Sequence, residues 1–390
     1  MTIFVTNIWN HYTTNIGARL AAILGEDNFR LVLTSPVQEE PEFKARMEMG
    51  WKFDLPAYKW LVRNPQHANE FAGSEHVKLI EEAEVAVVAA LYGTKLLFKA
   101  VRKRARSGKL TFFTNERYFK EYPSMWDAFK PINLPRWYRQ HRLMSRQNVH
   151  YLPISHWGYE DARFYDGCHD RVWKWTYTPE VSKEPTVKPA NEKMRIGWCG
   201  RMISWKHVEY MIEALGLLPK EYQMRCRMTL VGDGECKNGL VKLVAERGLG
   251  ASVEFLPYMP VSEVAKLMSE LDVYILPSDR GEGWGVVLAE AMDKCCVPIA
   301  CVEAGATLDL IDDGENGFVF EKGDCRRIAK KLRWLIDHPE ARREMGLRAW
   351  ETMQERSPEK AARRLCNLIR GIQDGNDSLI PVEGLCSRIG

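Results

Sequence analysis

Several features that mark familiar protein classes are missing from this sequence of 390 residues. There is no C-x-x-C pair and no cysteine–histidine cluster at zinc spacing, so neither a redox dithiol nor a structural zinc site is expected. The ten cysteines all fall from Cys168 onward, and Cys199 and Cys301 sit in apolar runs, the pattern of free thiols in a reducing compartment. No apolar run approaches the length of a membrane-spanning helix. The opening MTIFVTNIWN lacks a basic region and a cleavage site, so no signal peptide is expected. The net charge of +3 is too small to imply nucleic acid, and neither internal repeat nor low-complexity tract is evident. A cytoplasmic globular protein with room for two domains is the expectation.

What is present is an alternation of buried strands and helices. Strands are expected at Thr2–Thr6, Arg30–Thr34, Val85–Leu91, Leu110–Thr114 and Val149–Ser155. A helix is expected from about Ile16 to Leu24, with Thr13, Thr14 or Asn15 as its cap. Residues 36–75 carry mixed charge with Trp51 and Trp60, and are read as short helices over an acceptor cleft. Val181–Lys193, rich in proline and charge, reads as a linker. A second series follows, with strands at Arg195–Cys199, Met228–Val231, Ser252–Leu256, Val273–Leu276 and Val297–Ala300. The expected architecture is α/β, two Rossmann-like, doubly wound parallel-sheet domains at 1–182 and 193–350 facing across a cleft. A last helix is expected at Pro358–Arg370, followed by a loose tail over 373–390.

The densest chemistry lies in Asp279–Met292, DRGEGWGVVLAEAM. LDVYILPS before it reads as a buried strand, and VVLAEAM after it as a short helix. A strand, a glycine-containing loop and a helix N-terminus suit a phosphate, and Gly283 and Gly285 let a ligand approach the backbone. Glu282 falls in the loop and Glu290 in the helix. Either glutamate alone is compatible with a solvated surface, but an ionised Glu290 in an apolar helix needs a partner. Gly200-Arg201 closes a strand, and Lys206 follows five residues later. Two cations at a strand end can neutralise a diphosphate, or they are ordinary surface charges. LVGDGE ends a strand in a glycine turn at Gly232, but lacks the third glycine of a dinucleotide fingerprint.

EGWGVVLAEAM resembles the E-x7-E signature of retaining glycosyltransferases of family 4, whose fold is GT-B. GRMISWK resembles that family's G-R-x-x-x-x-K segment, and Cys295–Phe320 resembles the segment that follows the signature. Three positions depart from the pattern: Cys296 replaces a usual glycine, Gly305-Ala306 replaces a double glycine, and Asp309 replaces a usual glutamate.

The resemblance implies a donor site at Gly200, Arg201, Lys206, Gly232, Tyr258, Met259, Glu282, Gly283, Trp284, Gly285, Val286 and Glu290. Glu282 would contact the donor sugar, Glu290 the ribose, and Arg201 and Lys206 the pyrophosphate. Tyr258 and Met259 would pack against the base. In TNERYFK the resemblance puts Asn115-Glu116 where many relatives have a histidine near the reacting sugar. Glu116 would touch acceptor or donor, or else pair with Arg117 or the basic helix. His11 and Thr13, in the first loop, complete the acceptor side. The last helix would fold back on the first domain. The implied activity is transfer of a sugar from a nucleotide-sugar to a glycan or lipid-linked acceptor, in surface polysaccharide synthesis. No D-x-D metal motif stands in a suitable loop, so neither metal nor other cofactor is expected. The alternatives are a nucleotide-sugar epimerase on the same fold and a non-catalytic sugar-nucleotide-binding subunit.

Two acid-free stretches complete the picture, Tyr92–Lys109 and Lys130–Arg146. Lys95, Lys99, Arg102, Lys103 and Arg106 make one basic stripe at helical spacing. Trp137 and Tyr138 lie within the second stretch. Basic faces with interleaved aromatics suit an anionic membrane surface, a peripheral site on the inner face, better than nucleic acid. A plain solvated face is the alternative.

Overall fold

The computed structural model describes residues 1–6, 11–34, 58–62, 75–89, 95–116, 130–162, 169–189 and 192–389. The chain divides into two compact units, Met1–Glu180 with Arg356–Gly390, and Val181–Glu355.

The first unit is built on β1 (Thr2–Thr6), β2 (Phe29–Leu33), β3 (Leu61–Val62), β4 (Val85–Ala89), β5 (Leu110–Asn115) and β6 (Val149–Pro153). These form a six-stranded sheet in the order β3-β2-β1-β4-β5-β6, parallel throughout. Its strands are near-continuous apolar runs because helices cover a parallel sheet on both faces. The helices are α1 (His11–Leu24), α2 (Glu75–Glu82), α3 (Lys95–Arg106), α4 (Leu134–Met144) and α5 (His156–Ala162). The two-residue β3 is too short to leave a periodic signal, and it went unpredicted. Trp60 beside it is buried, while most of the 36–75 stretch lies outside the described residues.

Helix α1 starts at His11, upstream of the expected Ile16, so Thr13, Thr14 and Asn15 are interior residues and not caps. The apolar face of Ile16, Leu20 and Ala21 holds the helix on the sheet, and the polar first turn extends it. Arg104 on α3 is fully buried. Its guanidinium donates to Thr111 Oγ1 at 3.0 Å, Ile80 O at 3.2 Å, Glu84 O at 2.8 Å and Leu110 O at 2.6 Å, and also to Ala83 O. Those acceptors lie around the C-terminus of α2 and the start of β5, so one side chain ties three elements together. Burial pulls its pKa down to about 10.

The second unit is built on β7 (Met194–Cys199), β8 (Cys226–Val231), β9 (Val253–Leu256), β10 (Val273–Leu276), β11 (Val297–Cys301) and β12 (Phe318–Phe320). The order is β12-β11-β10-β7-β8-β9, again parallel. The helices are α6 (Glu209–Gly216), α7 (Lys220–Met224), α8 (Lys237–Glu246), α9 (Val261–Glu270), α10 (Val286–Asp293), α11 (Thr307–Leu310), α12 (Cys325–Asp337) and α13 (Pro339–Gln354). The strand order reverses between β7 and β10, the position where open α/β sheets place ligands.

The stretch read as a linker is bonded to this unit. Ser182 donates from N and from Oγ to Asp293, both at 2.7 Å, and Lys188 Nζ donates to Met268 O at 3.0 Å. Its prolines and charges exclude regular structure without excluding side-chain anchoring.

After the second unit the chain returns to the first as α14 (Pro358–Asp374), which packs along α1. Ser357 caps its start, and Gly375 at φ 62° ends it. Within the tail expected to be loose over 373–390, residues 373–378 and 382–384 are exposed, but 385–389 are anchored. Cys386 and Ser387 are buried. Cys386 N donates to Lys174 O at 2.7 Å, Lys174 N to Ser387 O at 3.0 Å, and Ile389 N to Val172 O at 3.0 Å. Three apolar residues, Leu385, Cys386 and Ile389, suffice for this anchoring without helical or strand periodicity.

Candidate functional site

The site is assembled at the carboxyl ends of β7, β8 and β10. β7 ends at Cys199, and the chain turns outward because Gly200 N donates to Val231 O at 3.0 Å and Met202 N to Asp233 O at 2.7 Å. That close approach demands glycine at 232, which sits at φ 132°. A Cβ there would lie 1.9 Å from Gly200 O. Arg201 is exposed at the strand end. Residues Ser204–Lys206 form a 3₁₀ turn closed by His207 in the left-handed region, at φ 46°.

The turn brings Lys206 to Glu282. The Lys206 ammonium and the Glu282 carboxylate form an ion pair, and their side chains are only 13% and 12% exposed. The same ammonium lies 4.5 Å from the centre of the Trp205 ring. Trp205 is itself seated against Gly281. The two cations and the first glutamate of the sequence signature thus share one end of the sheet. Glu282, however, meets Lys206 rather than standing free in its loop, because a half-buried carboxylate is stable as an ion only with a partner.

A second set of charges braces that loop. Asp279 accepts from Gly281 N at 2.9 Å and Lys322 Nζ at 2.7 Å, and lies 3.1 Å from His207 Nε2. His207 Nδ1 lies 2.9 Å from Glu209 Oε1, and Tyr210 stacks on the imidazole at 4.7 Å. Burial alone would raise the Asp279 pKa. Lys322, Gly281 N–H and His207 outweigh it, and the carboxyl is held below its usual range. Bonding to Glu209, with Asp279 adding, lifts the His207 pKa above its ordinary value against burial. Asp279, His207, Trp205 and Lys322 were not singled out from the sequence. A histidine that follows Lys206 has no readable signal until the left-handed turn is known.

The glycine loop is fixed from the other side by the turn after β11. Gly305 N donates to Glu282 O at 3.2 Å and Ala306 N to Trp284 O at 2.7 Å. A Cβ on Gly305 would stand 2.1 Å from Gly283 O, so only glycine fits. Position 306 needs no such freedom, which explains why alanine is accepted there. Trp284 is buried, and Gly285 at φ 93° precedes α10, whose first turn no side chain caps. Val286 opens that helix and is half-buried.

Glu290 lies half-buried on α10. Its charge reaches the end of β7. Burial pushes the Cys199 thiol up to about 12, with the Glu290 carboxylate adding. Tyr274 bridges the two strands there, donating to Cys199 O at 3.3 Å and accepting from Cys199 N at 3.2 Å. Tyr258 donates to Asp233 O at 3.1 Å. Burial raises its pKa while the nearby Arg201 opposes, so Tyr258 and Arg201 share one environment. Met259 is a half-buried loop residue beside it. Among the described residues no three His, Cys, Asp or Glu side chains form a metal-holding group.

The remaining site candidates belong to the first unit. Asn115 ends β5, and its Nδ2 donates to Glu116 O at 2.6 Å. Glu116 Oε1 accepts from Tyr177 OH at 3.0 Å, whereas Arg117 lies outside the described residues. Burial, then the Glu116 charge, hold the Tyr177 phenol well above its usual pKa. The Tyr177 ring lies 6.3 Å from that of Tyr12 on α1. Tyr12 in the first turn of α1 and Glu116 just past β5 therefore both adjoin Tyr177. His11 and Thr13 are helical and not in a loop.

Part of the chain matches a known family. Residues 182–351 match the family described as glycosyl transferases group 1. An alpha-D-kanosaminyltransferase of Streptomyces kanamyceticus is 31% identical over 149 residues, 38% of this chain and 38% of its own. A capsular polysaccharide biosynthesis glycosyltransferase of Staphylococcus aureus is 27% identical over 172 residues, 42% of each. The match thus spans less than half the length of either relative. The crystal structure of Anabaena HepE in complex with UDP superposes with a TM-score of 0.69 at 15% identity, covering 95% of this chain and 99% of that one. The two parallel sheets have the GT-B fold, and the segment that carries Lys206, Glu282 and Glu290 matches the group 1 glycosyl transferase family.

Proposed function

We propose that the chain is a retaining glycosyltransferase that moves a sugar from a nucleotide-sugar to a glycan or lipid-linked acceptor without a metal ion. The observation that carries this reading is the meeting of Lys206 and Glu282 at the strand-order reversal of the group 1 segment. In this reading the donor diphosphate lies against Arg201, Lys206 and the start of α10. The cations take the negative charge that develops as the bond from the anomeric carbon to the diphosphate oxygen breaks. The acceptor oxygen attacks the same face, and its proton passes to the departing diphosphate. Glu282 then holds the sugar hydroxyls and Glu290 the ribose.

The capsular relative and the UDP complex support a uridine nucleotide and a polysaccharide acceptor as the first candidates. The basic faces of α3 and α4 support docking at an anionic membrane surface. Thermal-shift screening of nucleotide-sugars, followed by NMR of the early product, tests the proposal. Stabilisation by a nucleotide-sugar and a product that keeps the donor's anomeric configuration are expected. An inverted product removes the retaining mechanism, and an isomerised donor in the absence of acceptor replaces transfer with epimerisation.

A further inference from the structure

The first unit holds a charged surface pocket whose arginines are mostly exposed. It measures about 110 Å³ and is lined by Arg102 and Arg106 of α3 and by Arg139, Arg142 and Arg146 on and just past α4. The spacing explains the convergence. Arg102 and Arg106 stand one turn apart on α3, and Arg139, Arg142 and Arg146 recur on one face of the neighbouring helix. Phe98, Leu143 and Tyr138 complete the lining. The sequence stripe is therefore split. Lys103 turns away and pairs with Glu81 at 2.5 Å, and Arg104 is buried in the backbone.

Among the described residues no carboxylate forms an ion pair with any of these five arginines. Arg139 Nε donates to Pro135 O at 2.9 Å, and the Arg142 guanidinium lies 5.8 Å from the Tyr138 ring centre. Neither contact neutralises charge. Guanidinium groups gathered in this way repel one another unless an anion sits among them. A planar guanidinium engages two oxygens of an anion at once. A carboxylate offers only two oxygens in one plane, whereas a phosphoryl group offers three or more oxygens in different directions, which matches forks arriving from two helices.

We propose that this cavity binds a phosphoryl group, independently of the sugar-transfer reading. Its source is either a soluble phosphate compound or the headgroup of a lipid. Exposed Ile132, Leu134 and Tyr138 at the start of α4 would suit the second.

Phenylglyoxal modification of the full chain, read arginine by arginine by mass spectrometry, tests the proposal. The three arms add inorganic pyrophosphate, vesicles of phosphatidylglycerol, or vesicles of phosphatidylcholine. With the anion at about ten times its dissociation constant, modification of Arg102, Arg106, Arg142 and Arg146 should slow about tenfold relative to Arg343, which is also exposed and lies outside the pocket. Protection by pyrophosphate identifies a soluble ligand, and protection by phosphatidylglycerol vesicles alone identifies a headgroup. Because the readout is by residue, pyrophosphate at Arg201 is counted separately. In Arg102→Ala/Arg142→Ala, protection of Arg106 and Arg146 should disappear. Equal modification in all arms, protection of Arg343 to the same extent, or undiminished protection in the double variant would overturn the proposal.

Discussion

Lys206 and Glu282 neutralise each other across the mouth of the second sheet, although the proposed mechanism puts one of them on a diphosphate and the other on a sugar. The pair holds two loops together, the turn after β7 and the glycine loop after β10. An arriving diphosphate would share the ammonium that Glu282 now engages, and the carboxylate would turn to sugar hydroxyls as the ammonium turns away.

Removing one partner from so enclosed a pair leaves a buried, uncompensated charge. Lys206→Met or Glu282→Gln should each lower unfolding free energy by about 3 kcal/mol, within the range for broken buried pairs. The double variant should lose clearly less than the sum of the two. Urea denaturation of the four proteins measures the coupling, and additive losses would show that the pair contributes little.

Catalysis should separate Lys206 from Glu290. Lys206→Ala is expected to reduce kcat by about 10²-fold, as loss of an oxyanion-type donor does. Glu290→Gln should instead raise the donor KM with kcat little changed, since a ribose contact is equal in ground and transition states. Initial-rate kinetics on folded variants decide this. Near-normal kcat in Lys206→Ala would remove the lysine from leaving-group stabilisation.

The His207 bridge predicts a pH dependence of defined sign. The folded-state pKa is raised, so the bridge's contribution is complete below the ordinary value of 6.5 and is lost as pH rises through the folded value. Asp279, whose pKa is lowered from 3.8, stays ionised across that window and loses its contribution only as pH falls through its own folded value. The Tm advantage of the native chain over His207→Gln should therefore be larger at about pH 6 than at about pH 8.5. Thermal melts at the two pH values check this, and a constant difference would mean that the imidazole acts only by packing.

Gly305→Ala and Gly314→Ala make an informative contrast. The first drives a methyl to within 2.1 Å of Gly283 O, while the second meets nothing within 4 Å and is strained only by φ 92°. The expected costs are more than about 2 kcal/mol for the first and about 1 kcal/mol for the second. Gly305→Ala should also weaken nucleotide-sugar binding, because it displaces the loop that carries Glu282. Equal costs would refute the steric argument.

Arg104→Met should destabilise the first unit by about 2–4 kcal/mol, since it strands buried carbonyls at 80, 83, 84 and 110 that the guanidinium now satisfies. Chemical denaturation followed through the first unit's signals measures it. A neutral outcome would mean that solvent reaches those carbonyls.

Strands buried on both faces were legible because their apolar runs have sharp ends. Val273–Leu276 was placed to the residue, and Val85 and Val149 were correctly read as strand starts. The carboxyl-end placement of Arg201, Lys206 and Glu282 followed from those ends. Contacts whose partners are remote in sequence were not legible. The Lys206–Glu282 pair joins residues 76 positions apart, and the His207–Asp279 contact residues 72 apart. The start of α1 was placed too late because Thr13, Thr14 and Asn15 have the chemistry of caps, while the packing of Ile16 and Leu20 decided otherwise. The 373–390 segment was read as loose because isolated buried residues make no period.

The return of α14 and the tail to the first unit has a consequence for synthesis on the ribosome. Domains ordinarily fold from the N-terminus as they emerge, at about 5–20 residues per second. Here Val181–Glu355 is whole once Glu355 has left the exit tunnel, whereas the unit translated first still lacks the helix that covers α1. The second-made sheet can therefore be finished first, and the side of α1 that Pro358–Asp374 covers stays open until that helix appears. A nascent chain stalled just after Glu355 would be the species most exposed to chaperones and proteases, and its vulnerable segment would be α1, made long before the helix that covers it.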